Sequence, residues 1–213
     1  MFWFILFNFS ILPAAIAGIV RQRVLGREWY PFLALLWLGL CNEALSLVLI
    51  YTVRNNTING NMYTLIEYLL ILYQFYYWNR GGKTKYALLA IMGTMIWLTD
   101  NLILHSLRQD NSLFRAFYGF ILVFLAIEQI NMRIINSNIR LRNDAVFIVC
   151  CGFVLYFSCR AFMEVFDVFG VSFSDAFEAN LFLAMAAVNC IANLTYTTAL
   201  LCIPVKQRYS WPS

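Results

Sequence analysis

Residues 61–78, NMYTLIEYLLILYQFYYW, decide the fold of this chain. The stretch is almost wholly apolar, is long enough to cross the hydrocarbon of a bilayer as one helix, and carries a single carboxylate, Glu67. Tyr63, Glu67 and Gln74 follow one another at spacings that place them on one helical face. An ionisable group is costly in hydrocarbon, so we expect Glu67 to face a bundle interior or a hydrated cavity.

The composition of the chain is that of a multi-pass membrane protein. Of its 213 residues, 62% are hydrophobic and 12% are charged, whereas soluble domains have about 25% charged residues. The net charge of +4 does not indicate a nucleic-acid partner, because the basic residues lie in short polar connections where they set orientation. The six cysteines lie within apolar segments, which predicts small buried side chains and not a disulfide or zinc framework.

Seven apolar segments are long enough to span the hydrocarbon core of a bilayer. They cover residues 3–20, 29–51, 62–79, 86–107, 115–134, 145–167 and 181–203. The connections between them are short, and no linker, soluble domain or internal repeat interrupts them. We therefore predict an all-α fold, in which residues 1–213 form a single domain of seven transmembrane helices.

The basic residues are distributed unevenly between alternate connections. The connections after the first, third and fifth segments and the C-terminal stretch contain eleven: Arg21, Arg23, Arg27, Arg80, Lys83, Lys85, Arg133, Arg140, Arg142, Lys206 and Arg208. The other three connections contain Arg54, Arg108 and Arg115. Because cytoplasmic loops are rich in Lys and Arg, this distribution predicts an N-terminus outside and a C-terminus in the cytoplasm.

Several polar residues share one depth in the predicted membrane. A rise of about 1.5 Å per residue places Glu43, Glu67, Asp100 and Arg160 in one layer of the outer half, and Asn8 at the same depth. Random placement would scatter these residues through the bilayer. The sequence therefore predicts that different helices contribute to one polar site.

Charge balance within this layer leaves carboxylates in excess. Arg160 stays protonated, so it needs a carboxylate partner, and Glu164 at i+4 on the same helix is one candidate. The remaining acids must be protonated, share a cation, bond to neutral groups or open onto water. In the last segment, Asn189 and Asn193 lie one turn apart and predict interhelical hydrogen bonds.

The leading hypothesis is a pocket that binds a small cationic or amphiphilic ligand from the outer side, as in a receptor, a sensor or a small transporter. Glu67 and Asp100 would neutralise the ligand, Glu43 would support them, and Arg160 would orient one acid. The predicted ligand-binding residues are Glu43, Tyr63, Glu67, Asp100, Arg160 and Glu164. The expected partners are the lipid bilayer and a small molecule, and no cofactor, metal or nucleic acid is expected.

Two other hypotheses use the same residues. In an intramembrane enzyme, Glu43 and Asp100 would be catalytic: held neutral in an apolar site, they would donate a proton to an isoprenoid or lipid-like substrate. In a structural membrane subunit, Arg160 and the acids would form a buried ion-pair network that fixes the packing of the helices.

The pattern Asn61-x-Tyr63-Thr64-x-x-Glu67, which follows a helix with Glu43 and a short Asn-rich loop, resembles a group of small uncharacterised seven-helix proteins of the bacterial inner membrane. This resemblance covers the second and third segments and implies the architecture and an inner-membrane location, but no activity. In size, helix count and acids in an aromatic-rich bundle, the chain is also similar to small seven-helix membrane terpene cyclases. That likeness implies proton donors at Asn42-Glu43 and Asp100.

Overall fold

The computed structural model describes residue 7 and residues 9–79, 82–136, 140–171 and 173–203. Over this part of the chain the fold is all-helical and has no strand, as predicted. The seven α-helices are α1 (Leu12–Arg21), α2 (Tyr30–Thr52), α3 (Thr57–Asn79), α4 (Lys83–Thr99), α5 (Ser112–Asn136), α6 (Ala145–Val168) and α7 (Asp175–Cys202). Short 3-10 turns precede α1, α2 and α6, and a π-helical turn, Asp100–Leu104, follows α4.

Five of these helices are long and apolar enough to cross a membrane. They are α2 with its preceding turn, α4 with its π-helical turn, α5, α6 and α7. α1 is too short to be a candidate span. The mean hydropathy of α3 is too low for one, because the helix contains many polar residues and tyrosines. The predicted start of the first segment, residue 3, lies outside the described residues. The other predicted boundaries differ from the structure mainly at two starts, because α3 begins at Thr57 and α7 at Asp175. Both first turns are polar, so the apolar runs at residues 62 and 181 begin later than the helices.

α3 buries one face in the bundle, although its composition is the least apolar of the long helices. It packs against α2, α4 and α5. Tyr68, Ile71 and Phe75 are completely buried. The Tyr68 ring meets the rings of Phe114 and Tyr118 of α5 edge to face, with centroids 5.8 and 6.1 Å apart. Such aromatic pairs add to the stabilisation that burial supplies.

α5 and α6 form the closest helix pair, and a glycine permits their approach. A Cβ atom at Gly119 would lie 2.8 Å from the Cβ atom of Ala161 on α6. Any larger residue at position 119 would therefore push the helices apart. Small residues at such crossings allow the extensive van der Waals contact that holds membrane helices together.

The helices alternate in direction, which brings their polar ends together at two ends of the bundle. At one end, Arg21 donates to the carbonyl groups of Leu201 and Ile203, and the Trp29 and Trp78 rings lie 5.5 Å apart. This end, named the basic end, contains eight described cations: Arg21, Arg23, Arg27, Lys83, Lys85, Arg133, Arg140 and Arg142. The opposite end, named the acidic end, contains Arg54, Arg108 and Arg115 together with Asp110, Asp167, Asp175 and Glu178.

Gln74 of α3 holds the first turn of α2 at the basic end. Its side-chain oxygen accepts a hydrogen bond from the backbone N–H of Phe32 at 2.8 Å, and its amide nitrogen donates to the carbonyl of Glu28 at 2.6 Å. The first N–H groups of a helix have no partner within the helix. The buried Gln74 amide therefore acts as a cap supplied by a neighbouring helix.

The cysteines are less buried than predicted. Cys150 is buried, Cys41 and Cys151 are exposed, and the other three are intermediate. The prediction equated an apolar segment with a buried position. On a helix of this bundle the outward surface is also apolar, so a thiol can lie there without facing a polar solvent.

Candidate functional site

Glu67 lies in the interior with both carboxylate oxygens bonded. Tyr63, one turn earlier on α3, donates its hydroxyl to Oε1 at 3.0 Å. The Tyr118 hydroxyl of α5 donates to Oε2 at 3.0 Å, and Nη1 of Arg160 of α6 donates to the same oxygen at 3.4 Å. Three helices thus converge on one carboxylate that is only 6% exposed. The negative charge of Glu67 is compensated by Arg160.

Arg160 is shared between two carboxylates and two aromatic rings. Its Nε lies 3.9 Å from Oε1 of Glu164, the i+4 partner that the sequence predicted. Its guanidinium donates to the Tyr156 hydroxyl at 3.0 Å and lies 5.5 Å from the ring centre of Tyr118. A guanidinium over an aromatic face gains a cation–π attraction in addition to its ion pairs. Arg160 is therefore held by groups of the protein on α3, α5 and α6.

A second arginine, Arg115 at the start of α5, extends the network to the acidic end. It lies 3.7 Å from Glu164 and 3.2 Å from Asp110, and it donates to the side-chain oxygen of Asn61 at 3.3 Å. The sequence placed Arg115 in a connection, so its part in the network was missed. The predicted and the missed residues together form a chain of ion pairs, named the Glu67–Arg160 network, from Glu67 through Arg160 and Glu164 to Arg115.

Asp100 is also buried, but it lies apart from Glu67. One of its carboxylate oxygens is 2.9 Å from the ring nitrogen Nδ1 of His105, and the other accepts the backbone N–H of Phe114 at 2.8 Å. Asp100 thus caps the first turn of α5 from the π-helical turn after α4. It shares the predicted depth with the other acids but faces a different neighbour.

A partly enclosed cavity lies next to Glu67, among α2, α3, α6, α7 and the turn before α1. Its volume is about 80 Å³, which gives room for several water molecules. Its polar wall is formed by Glu43, Tyr63, Glu67, Tyr156, Asn189, Asn193 and Tyr196. Of the predicted site residues, the structure therefore brings Glu43, Tyr63 and Glu67 to one cavity, while Asp100, Arg160 and Glu164 do not line it.

Glu43 differs from Glu67, the other carboxylate of the cavity, in the partners that the described residues give it. Within the described ranges of the chain, no side chain or backbone group bonds to the Glu43 carboxylate and no cation pairs with it. The nearby amides of Asn42 and Asn59 bond to each other at 2.8 Å. Asn8, which the sequence placed at the same depth, lies outside the described residues.

The far wall of the cavity is set by two amides of α7. Asn193 donates to the hydroxyl of Ser10 at 2.8 Å and contacts the side-chain oxygen of Asn189 at 3.4 Å. The bond to Ser10 confirms the interhelical role predicted for Asn193. It leaves Asn189 at the cavity wall with polar atoms available to an occupant.

Other cavity residues were missed by sequence reasoning, and the signals for them differ. Tyr156 lies one turn before Arg160, so helical spacing could have identified it. Gly39 also lines the cavity: a Cβ atom there would lie 2.7 Å from Cδ1 of Ile11 and 3.5 Å from the Tyr63 hydroxyl. The absence of a side chain at Gly39 keeps this space open, and no sequence pattern marks it.

Comparisons with protein-family models, with curated proteins and with solved structures found no match to this chain.

Proposed function

We propose that this chain is an integral membrane protein that binds a small organic cation in the cavity beside Glu67, with Glu43 as the neutralising group. The observation that supports this proposal is a carboxylate on the wall of a cavity for which the described part of the chain offers no counter-ion. Intramembrane carboxylates normally pair with a cation or lose their charge. Glu67 is already paired with Arg160, so the role of counter-ion moves from Glu67 and Asp100 to Glu43.

The size and lining of the cavity support a small ammonium ligand. About 80 Å³ is well below the roughly 300 Å³ at which pockets for drug-sized ligands begin. The carboxylate of Glu43 would attract the ammonium group, and the faces of Tyr156 and Tyr196 would contribute cation–π attraction. Asn189 would accept a hydrogen bond from the ammonium protons.

The topology that we propose has seven spans, with the N-terminus outside and the C-terminus in the cytoplasm. The distribution of the described basic residues between the two ends of the bundle supports this orientation. α3 has 23 residues, which at about 1.5 Å per residue is enough to cross the hydrocarbon. The cavity would then lie in the outer half of the membrane.

Calorimetric titration of the detergent-purified protein with alkylammonium chlorides, from methylammonium to butylammonium, tests the proposal. We expect binding to the wild type and at least tenfold weaker binding to Glu43→Gln, because the substitution removes the counter-charge but keeps the shape. Glu128→Gln is the matched control, since Glu128 is exposed, pairs with Lys85 and does not line the cavity. If no alkylammonium binds, or if Glu43→Gln binds as well as Glu128→Gln, the proposal is wrong.

Filling the cavity without changing its charge gives a second test. In Gly39→Val the new methyl groups would occupy space next to Ile11, whose side-chain end can move. We expect binding of the larger alkylammonium ions to be lost before binding of methylammonium. An equal loss for all sizes would indicate that the substitution acts through folding and not through volume.

The structural-subunit hypothesis is supported by one specific observation, the bonding of both carboxylate oxygens of Glu67, one of them to Arg160. Such a network can fix helix packing without any ligand. The two functions are compatible, because Glu43 does not belong to the network. The enzyme hypothesis has less support: Asp100 lies outside the cavity, and the cavity volume is small for an isoprenoid.

A further inference from the structure

A second recess lies on the periphery of the bundle, between α3 and α4 at the basic end. Its volume is about 330 Å³, roughly the size at which pockets bind ligands. The walls are Leu69, Leu72, Tyr73 and Tyr76 of α3 and Tyr86, Ala87 and Ala90 of α4. Ala87 and Ala90 are small and share one helical face, so the facing aromatic residues are not covered. We name this recess the lipid groove.

The rim of the lipid groove is basic. Lys83, the first residue of α4, lines it. Tyr76 belongs both to the groove and to an adjoining recess of about 380 Å³ that is lined by Arg27, Glu28 and Tyr77. Two cations and one carboxylate therefore surround the outlet of an apolar groove. Among the residues described by the structure, Lys83 and Arg27 have no carboxylate partner, whereas Lys85 pairs with Glu128 at 2.5 Å.

The environment of the groove restricts its occupant. Next to it, Leu88 and Ile91 of α4 are 61% and 62% exposed, as expected for side chains that face lipid. An occupant must therefore match an apolar groove at one end and a net positive rim at the other. An acyl chain with a phosphate headgroup has this pattern, and basic sites at the cytoplasmic ends of transmembrane helices bind anionic lipid headgroups.

We propose that the lipid groove binds an anionic phospholipid, with one acyl chain between α3 and α4 and the phosphate at Lys83 and Arg27. Tyr73, Tyr76 and Tyr77 form an aromatic cluster at the same level, in which the Tyr73 and Tyr77 hydroxyls are 3.1 Å apart. Tyrosines at this level suit the boundary between acyl chains and headgroups. This inference does not depend on the ligand proposed for the cavity beside Glu67.

The experiment is a native mass spectrometry titration of delipidated protein with dioleoyl phosphatidylglycerol and, separately, dioleoyl phosphatidylcholine. We expect the wild type to bind phosphatidylglycerol more tightly. Lys83→Gln and Arg27→Gln should each weaken that binding about fivefold, the effect of one charge at an anionic lipid surface. Lys85→Gln is the matched control and should change it less than twofold, because the Lys85 ammonium is held by Glu128.

A second pair of variants tests the contribution of the apolar groove separately from that of its basic rim. Ala87→Trp would fill the groove and should weaken the binding of both lipids, whereas Leu88→Trp, on the neighbouring outward face, should leave both unchanged. The inference is overturned by equal affinity of the wild type for the two lipids, by equal losses in Lys83→Gln and Lys85→Gln, or by unchanged binding in Ala87→Trp. Positions 83, 85, 87 and 88 are exposed, so these variants test binding and not folding.

Discussion

Glu43 and Glu67 line the same cavity, yet the protein treats them differently. Glu67 accepts bonds from Tyr63, Tyr118 and Arg160, whereas no described group bonds to the Glu43 carboxylate. A buried charge that is paired within the protein stabilises the fold, whereas a buried charge without a partner is available to bind a ligand. The comparison teaches that the number of partners, more than depth or residue type, separates a structural acid from a candidate binding acid.

The largest expected effect on stability comes from removing Arg160, the cation that pairs with Glu67. Arg160→Gln should reduce the free energy of unfolding by about 3–5 kcal/mol, because Glu67 would remain buried without its counter-charge. Thermal and denaturant unfolding in detergent measures the change. Arg23→Gln, at an exposed position, should change stability by less than about 0.5 kcal/mol. Equal stability of the two variants would contradict the assignment of Arg160 to the fold.

Gln74, a neutral residue on the same helix as Glu67, also tests whether a buried polar group with partners stabilises the fold. Gln74→Leu leaves the Phe32 N–H and the Glu28 carbonyl without partners, so we expect a loss of about 1–3 kcal/mol. Gln129→Leu is the matched control, since Gln129 is also buried but its side-chain oxygen has no partner in the described part of the chain. It should be destabilised less than Gln74→Leu in the same unfolding measurement.

A double-mutant cycle sharpens the comparison between the two acids. The Glu67→Gln/Arg160→Gln variant should be more stable than the sum of the single losses predicts, by about 0.5–3 kcal/mol, because the two residues are bonded. The cycle of Glu43→Gln with Arg160→Gln should show a smaller coupling. Equal coupling in the two cycles would mean that Arg160 compensates both acids, and the distinction between them would fail.

The smallest expected effect is that of Glu43→Gln on stability. No described bond is lost, so the free energy of unfolding should change by less than about 0.5 kcal/mol or increase slightly. The same unfolding curves provide the measurement, in buffer without any ammonium ion. A loss as large as that of Arg160→Gln would show that Glu43 has structural partners after all.

Composition and hydropathy were sufficient to predict an all-helical membrane fold with seven helices. Apart from the first segment, whose predicted start lies outside the described residues, they located the helix starts to within about six residues but did not identify the polar first turns at Thr57 and Asp175. Depth along each helix could also be estimated, and it placed Glu43, Glu67, Asp100 and Arg160 at one level. However, the rise per residue gives the depth of a side chain along the helix and not the direction in which it points around the helix axis. It could therefore not predict that Asp100 faces α5 while Glu43 faces the cavity.

The Glu67–Arg160 pair depends on contacts that no local pattern encodes. Glu164 was predictable from its i+4 spacing to Arg160, and Tyr156 could have been found in the same way. The partners from other helices, Glu67 and Tyr118, become neighbours only when α3, α5 and α6 pack. The cavity likewise results from a missing side chain at Gly39 and from the meeting of residues of four helices, which is a property of the packed bundle.

The polar content of α3 has a consequence for the assembly of the protein in the membrane. In the proposed seven-span arrangement, α3 carries Asn61, Glu67 and Gln74 at positions that would each oppose partitioning of an isolated segment into lipid. Its insertion must therefore rely on neighbours that mask these groups, and the partners of Glu67 and Asn61 lie largely on the later helices α5 and α6. A chain truncated after α3 would hold it less well in the bilayer than the complete bundle does.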